Sequence, residues 1–363
     1  MNFLNLVASA HKKILRTANK GKNVIILPNV VVLLSASSVF AGGTLTIDRD
    51  AQYSISDLTP YDGILFELEN TLPHAATLTI DGFSSASPNA ISAAFAEEDG
   101  VGSITLSGTA SNQVVELPGL SNGLSSIQGI VTVDNCTLQG NTSPNASLSL
   151  ENSGAAYNLG SNQAITDLTG ATGSTIDLGA NILTIASGGG NTFSGNITGS
   201  GGLVLNGQAT LTLNGTNTYT GNTTINDSST LIGTIASLST SKNIQNDSIL
   251  TLTQPPPHPG NFESNINGIG ILNIEGNGTI ILKGETTHTN GTQIFGASTL
   301  EGTTETLPTA SGITLFDTSS VNFYQSSPGT YAQAITGSGG VFIQQQGQIT
   351  FTGANSYTGG NDH

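Results

Sequence analysis

Residues 199–225 read GSGGLVLNGQATLTLNGTNTYTGNTTI, and this stretch belongs to a block that recurs twice more at one fixed spacing. The block opens FSGNITGSGGLVL at Phe193, FESNINGIGILNI at Phe262 and YAQAITGSGGVFI at Tyr331, and 262−193 = 331−262 = 69. The same offset links Gly199, Gly268 and Gly337, then Gly215, Gly284 and Gly353, then Tyr219, His288 and Tyr357. No insertion or deletion interrupts the three copies, which occupy 193–225, 262–294 and 331–359. Self-similarity at a fixed period marks a stacked architecture in which each unit buries its apolar face against its neighbours.

Alternation within the block says what is stacked. Leu203, Leu205, Leu211 and Leu213 take every second position on either side of a Gly-containing break. Their counterparts are Leu272, Ile274, Ile280 and Leu282, then Val341, Ile343, Ile349 and Phe351, all apolar. The positions between them vary freely, as Val204, Asn273 and Phe342 show. A period of two means strands with one face inward. The breaks are Asn-Gly, Gly-Gly and Gly-Ser, where glycine reaches positive φ at little cost. Short strands and tight turns without helix formers predict an all-β chain wound as a parallel β-helix, a β-solenoid. With roughly 20 to 25 residues per coil, one repeat corresponds to about three coils. Tyr219 and His288 are then separated by intervening coils. The rival architecture is a β-sandwich of hairpins, which also has many short strands but gives no reason for the unbroken period.

The segment 1–41 differs from the rest. His11, Lys12, Lys13, Arg16, Lys20 and Lys22 make a basic start, the apolar stretch 24–34 follows, and SASSVFAGG supplies small residues at Val39 and Ala41 for a cut before Gly42. This pattern predicts a secretory signal peptide over 1–41, with a short signal helix. Five of the eight Lys and Arg residues lie in it. The remainder keeps Arg49, Lys242 and Lys283 against 24 acidic residues, a net charge of 3−24 = −21. Such a balance argues against nucleic acid and anionic lipid as partners, because phosphate needs cations to neutralise it. No later run is long and apolar enough for a spanning helix, so the mature chain is expected outside the bilayer. With a single cysteine, Cys136, no internal disulfide framework is available and stability rests on stacking.

Two zones follow the signal segment. Residues 42–185 hold strand-like runs without a clean repeat, an irregular N-terminal solenoid or cap region, in which 90–99 (AISAAFAEED) is the best candidate for a short helix. Residues 186–363 form the regular β-helix with the 69-residue repeats. Within it QPPPHPGN, from Gln254, reads as a stiff loop leaving the coil, since proline cannot serve a central ladder.

The string from Gly199 quoted above, and TGSGGVFIQQQGQITFTGANSYTGG from Thr336, resemble the autotransporter-associated β-strand repeat of gram-negative passenger regions. The likeness rests on the Gly-Ser-Gly-Gly turn, the paired alternating strands and the closing Asn-Thr-Tyr-Thr-Gly (217–221) or Asn-Ser-Tyr-Thr-Gly (355–359). In the middle copy His288 replaces the tyrosine and Asn290 the final glycine. The resemblance implies a right-handed parallel β-helix, exported through the signal peptide, that presents adhesive loops at the cell surface to host proteins or glycans. That family also carries a C-terminal β-barrel in the outer membrane. No such barrel is read in these residues, so the chain is expected to be part of a longer protein, a truncated remnant, or one that leaves by another route.

Parallel β-helices also include polysaccharide-degrading enzymes, the reading from a different class. Lyase chemistry needs a base with cationic or metal help, yet Arg49, Lys242 and Lys283 share no phase of the repeat. A glycosidase needs two facing carboxylates; the one acidic cluster, Glu97, Glu98 and Asp99, reads as a solvated turn. His74, His258, His288 and His363 lack metal-ligand spacing, and His288 reads as a substitute for tyrosine. Ser200 and Ser338 sit in glycine turns without a histidine and acid to activate them. No catalytic, metal or cofactor residue is assigned from the sequence, and the chain is expected to be a non-enzymatic surface module.

Overall fold

The computed structural model describes residues 129–362 apart from 141–145, 187–188 and 239, together with seven short strands before residue 129. The chain divides into two compact units, residues 1–177 and 178–363. Strand pairing within each is parallel throughout the described residues, from Val24–Ile26 against Thr44–Thr46 to Val341–Phe342 against Asn361–Asp362. Hairpins pair antiparallel, so the β-sandwich is excluded and the chain is a parallel β-solenoid. Of the segment read as a signal peptide, only Val24–Ile26 falls among the described residues, and there it is a strand.

In the first unit, Thr77–Phe83, Ser103–Gly108, Ile130–Asp134, Ser147–Leu150 and Leu168–Gly170 form one ladder. Val114–Leu117, Thr137–Gly140, Ala156–Leu159 and Thr175–Asp177 form a second. Val131, Leu148 and Leu168 stack inward in the first, and Leu138, Tyr157 and Ile176 in the second, all buried. The helix expected over 90–99 is not formed. Ala93–Glu97 is a strand lying parallel to Ile64–Leu68. Helix propensity over so short a run is worth little beside a ladder of backbone hydrogen bonds offered by a neighbouring strand.

The second unit winds around three sides. Side one carries Gly190–Phe193, Thr210–Leu213, Thr230–Thr234, Ile249–Thr253, Ile271–Glu275, Thr292–Ile294, Ile313–Leu315, Ile335–Gly337 and Ser356–Tyr357. Side two begins with Asn196–Thr198 and the short helix Ile235–Leu238, then continues as Gly260–Phe262, Thr279–Leu282, Thr299–Gly302, Ser320–Tyr324 and Gly340–Gln344. Side three carries Ile182–Ile185, Gly202–Leu205, Thr223–Ile225, Asn243–Asn246 and Asn265–Asn267, and later Gly329–Tyr331 and Ile349–Phe351. Inward columns are continuous. Leu211, Leu231, Leu250, Leu272, Thr292, Ile313 and Ile335 pair in succession on side one, each at most 1% exposed. Burying such a branched aliphatic side chain contributes about 1.5–3 kcal/mol, and the column repeats that gain coil after coil.

These registers correct the expected coil count. Within this unit the shortest step from one coil to the next runs from Thr230 to Ile249 (249−230 = 19), and the following one runs from Ile249 to Ile271 (271−249 = 22). From Leu203 the ladder runs Thr223, Ile244, Ile266, so three coils use 266−203 = 63 of the 69 in a repeat. The remaining six carry the chain to Leu272, which lies on side one, whereas Leu203 lies on side three. The next copy repeats the step: Leu272 leads through Thr292 and Ile313 to Ile335 on side one, and Val341 follows on side two. A repeat is therefore three coils and one side, not three coils. Equivalent residues advance around the axis by one side per copy.

The repeat glycines explain why the turn sequence is fixed. Gly199, Gly268 and Gly337 have φ of +105°, +104° and +107°. A β-carbon on Gly268 would lie 2.3 Å from the Asn246 carbonyl oxygen, and on Gly337 2.0 Å from that of Leu315. Both the conformation and the close approach of the coil beneath demand glycine.

Candidate functional site

Outward side chains give the solenoid a surface of hydroxyls and amides. On side one Thr212, Ile232, Thr251, Asn273, Gln293, Thr314 and Thr336 follow one another in register, an outward-facing column without a charge in which Ile232 is apolar and Thr251 is buried. Some of these groups bond along the column: the Thr314 and Thr336 hydroxyls lie 3.3 Å apart. On side two the Thr299 and Ser320 hydroxyls are 2.8 Å apart. Polar pairs at successive coils steady the ladder; the Asn273 and Asn322 side-chain oxygens on these two sides are buried without a partner.

Excursions break this regularity, and they too recur. Residues 229–238 read STLIGTIASL and residues 298–307 read STLEGTTETL, again 69 apart. In each, a glycine at the end of a strand or next to it meets a tight helical turn closed by a buried leucine: Gly233 with Leu238, Gly302 with Leu307. The turns are tied by hydroxyls, Ser237 Oγ donating to the Thr234 carbonyl (2.9 Å) and the Thr303 N–H donating to Thr306 Oγ1 (2.9 Å). One coil later a loop leaves the stack beside each turn. Residues 255–259 are all exposed, as the proline run predicts, and Gln254 Nε2 donates to the His258 carbonyl (3.1 Å). In the next copy Gln325 Nε2 donates to the Ser327 carbonyl (2.9 Å), and its Oε1 accepts from the Thr304 N–H (2.7 Å). The frame is shared and the tips differ. The first loop leaves between sides one and two, the second between sides two and three.

The corner that holds tyrosine or histidine is sealed. Tyr219 is fully buried, its hydroxyl 2.7 Å from that of Thr223, which is 2.9 Å from that of Ser241. Burial pushes the Tyr219 phenol up to about 12, against the smaller pull of Thr223 and Ser241. His288 takes the equivalent place before Thr292, with Nε2 3.1 Å from the Gly291 carbonyl oxygen and 2.9 Å from Thr292 Oγ1. The carbonyl only accepts, so Nε2 carries the hydrogen and Nδ1 is left without a partner. Burial lowers the imidazole from 6.5 to about 4. It is thus a neutral core group standing in for tyrosine, shut off from any substrate in solvent. Tyr219 lies before side three and His288 before side one, at different corners.

The other residues singled out in the sequence do not converge. Glu97 ends the strand beside Leu68, whereas Glu98, Asp99, Arg49, His74 and His363 lie outside the described residues. Lys242 and Lys283 are exposed at the corner between sides two and three, two coils apart, and His258 is exposed in the loop between sides one and two. Ser200 and Ser338 each donate to a carbonyl of the preceding coil, those of Gly179 and Asp317, at 3.1 Å. Among the described residues no three His, Cys, Asp or Glu side chains gather as a metal set, and no helix there is long and apolar enough to cross a membrane, which says nothing of a β-barrel. Sequence reading missed the helical-turn frames, although the decapeptides at Ser229 and Ser298 carried the signal. Comparison with known protein families, curated proteins and solved structures found no match. The class defined here is a repeat-built parallel β-solenoid whose candidate functional surface is its outward ladders and recurring loops.

Proposed function

We propose that the chain is an exported, cell-surface structural or adhesive module of the autotransporter-passenger kind. The observation that carries this reading is the pairing of a regular parallel stack with outward hydroxyl and amide columns and exposed loops on a repeated frame. A stack of coils offers the same weak polar contacts many times, so avidity comes from number. The loops at 255–259 and 325–328 differ between copies and are the places for specificity, since the coil sides repeat and they do not. The basic, apolar and small-residue order of the segment 1–41 supports export, and the acidic remainder suits a soluble extracellular surface.

Expression of the full chain in its native host, with protease shaving and antibody labelling of intact cells, tests the reading. The chain is expected at the surface or in the medium, and purified protein is expected to bind host cells or glycans. Retention in the cytoplasm, or cleavage of polysaccharide without binding to cells, would overturn it.

A further inference from the structure

Phe295 and Phe316 stack at the corner between sides one and two, with ring centroids 4.8 Å apart and planes 8° from parallel. Backbone bonds put them in a column. The Phe295 N–H donates to the Ile274 carbonyl, that of Phe316 to Ile294, and that of Ser338 to Leu315. The column therefore runs Glu275, Phe295, Phe316, Ser338. Where a third ring would lie against Phe316 the next coil offers Gly337, Ser338 and Gly339, and Phe316 is left 38% exposed.

The fold does not require these rings. One repeat earlier the equivalent column, at the corner between sides three and one, is Asn206, Asn226, Asp247 and Ile269, each numbered 69 below its counterpart. There the Asn226 amide donates to Asn206 Oδ1 at 3.0 Å, and Asp247 Oδ1 accepts from the Ile269 N–H at 3.1 Å. Three polar residues and the exposed Ile269 serve the equivalent corner in that copy; two phenylalanines with an unfilled place above them occupy it in the other.

We propose that Phe316, backed by Phe295 and bordered by Ser338 and Asp317, is a stacking platform for one ring of a neutral glycan. A pyranose lays its C–H face on the ring, as flat apolar groups do on aromatic faces, and presents hydroxyls to the exposed Asp317 carboxylate and the Ser338 hydroxyl. Charge selects the class. The chain carries 24 acidic against eight basic residues, and the described cations, Lys242 and Lys283, stand at a different corner, between sides two and three. Anionic sugars therefore find no counter-charge here. The inference rests on the surface-module reading and names one site and one ligand class for it.

Saturation-transfer NMR on the purified full chain with cellotriose, chitotriose, 3′-sialyllactose and N-acetyl-tryptophanamide tests the platform. Two variants accompany it. Phe295→Asn with Phe316→Asp installs the residues that the preceding copy carries at the equivalent corner, and Ser338→Phe fills the open place. Transfer to ring C–H protons of a neutral trisaccharide is expected, falling at least tenfold in both variants at unchanged melting temperature, with none to sialyllactose. Equal transfer in wild type and variants, transfer to no sugar, or preferred binding of sialyllactose overturns the proposal. Binding of N-acetyl-tryptophanamide alone does so too, assigning the platform to an aromatic side chain of a protein partner. Cell labelling separates the two readings. If the double variant reaches the surface like wild type but trisaccharide binding never depended on the rings, only the platform fails. If wild type binds the sugar through Phe316 yet never leaves the cytoplasm, only the surface reading fails.

Discussion

His288 shows how a single residue can be read from its repeat and still bring a property its counterpart lacks. Tyr219 fills the equivalent corner, one side away around the axis, with a group that stays neutral across the ordinary pH range, whereas an imidazole acquires a charge in acid. Folded His288 takes up a proton only near pH 4 because burial disfavours the charged ring. The unfolded side chain does so near 6.5. Between those values the unfolded chain binds more protons, so the contribution of this residue is whole above pH 6.5 and is lost as pH falls toward 4. The loss is on the order of 3 kcal/mol. Replacing His288→Tyr, with Thr292 placed to meet the hydroxyl as Thr223 meets Tyr219, should flatten this part of the profile. Urea midpoints of wild type and variant at about pH 7 and about pH 4.5 check it: a wild-type loss no larger than the variant's would show that the ring is not the acid-sensitive group.

At the scale of elements, the strands and the proline loop at 255–259 were legible and the short helical turns were not. Alternation at Leu203, Leu205, Leu211 and Leu213 gave the inward faces directly, because a strand has period two whatever its neighbours do. The helix expected at 90–99 failed because a short helix-tolerant run cannot decide against a neighbouring strand. The helical turns 235–238 and 303–307 escaped notice for a related reason: segments this short carry no periodicity, and only comparison of STLIGTIASL with STLEGTTETL reveals them. The aromatic column could not be read at all until the registers brought Phe295 and Phe316, one coil apart, into contact. Each turn is held by one buried leucine, so Leu307→Ala should cost about 2–5 kcal/mol, while Pro256→Ser in the exposed loop should stay within about 0.5 kcal/mol. Thermal melts of the two variants decide it; equal small effects would mean that the frame is not fixed by its leucine.

For the regular solenoid as a whole, the sequence period and the coil period are different numbers, and their mismatch has a consequence. Coil steps between 249−230 = 19 and 271−249 = 22 do not divide 69 into whole turns with each copy returning to its side. Successive copies therefore turn their exposed loops toward successive sides, so that these loops are spread around the axis instead of lined along one edge. Spin labels at two pairs of outward positions test this most directly, in a Cys136→Ser background by double electron–electron resonance. Thr212 and Asn273 share a column three coils apart on side one, about 14 Å along the ladder at roughly 4.8 Å per coil. Val204 and Asn273 are one repeat apart and on different sides. The Thr212–Asn273 distance is predicted to be the shorter. A shorter Val204–Asn273 distance would mean that one repeat is three whole coils, and the account of how this solenoid displays its surface would be wrong.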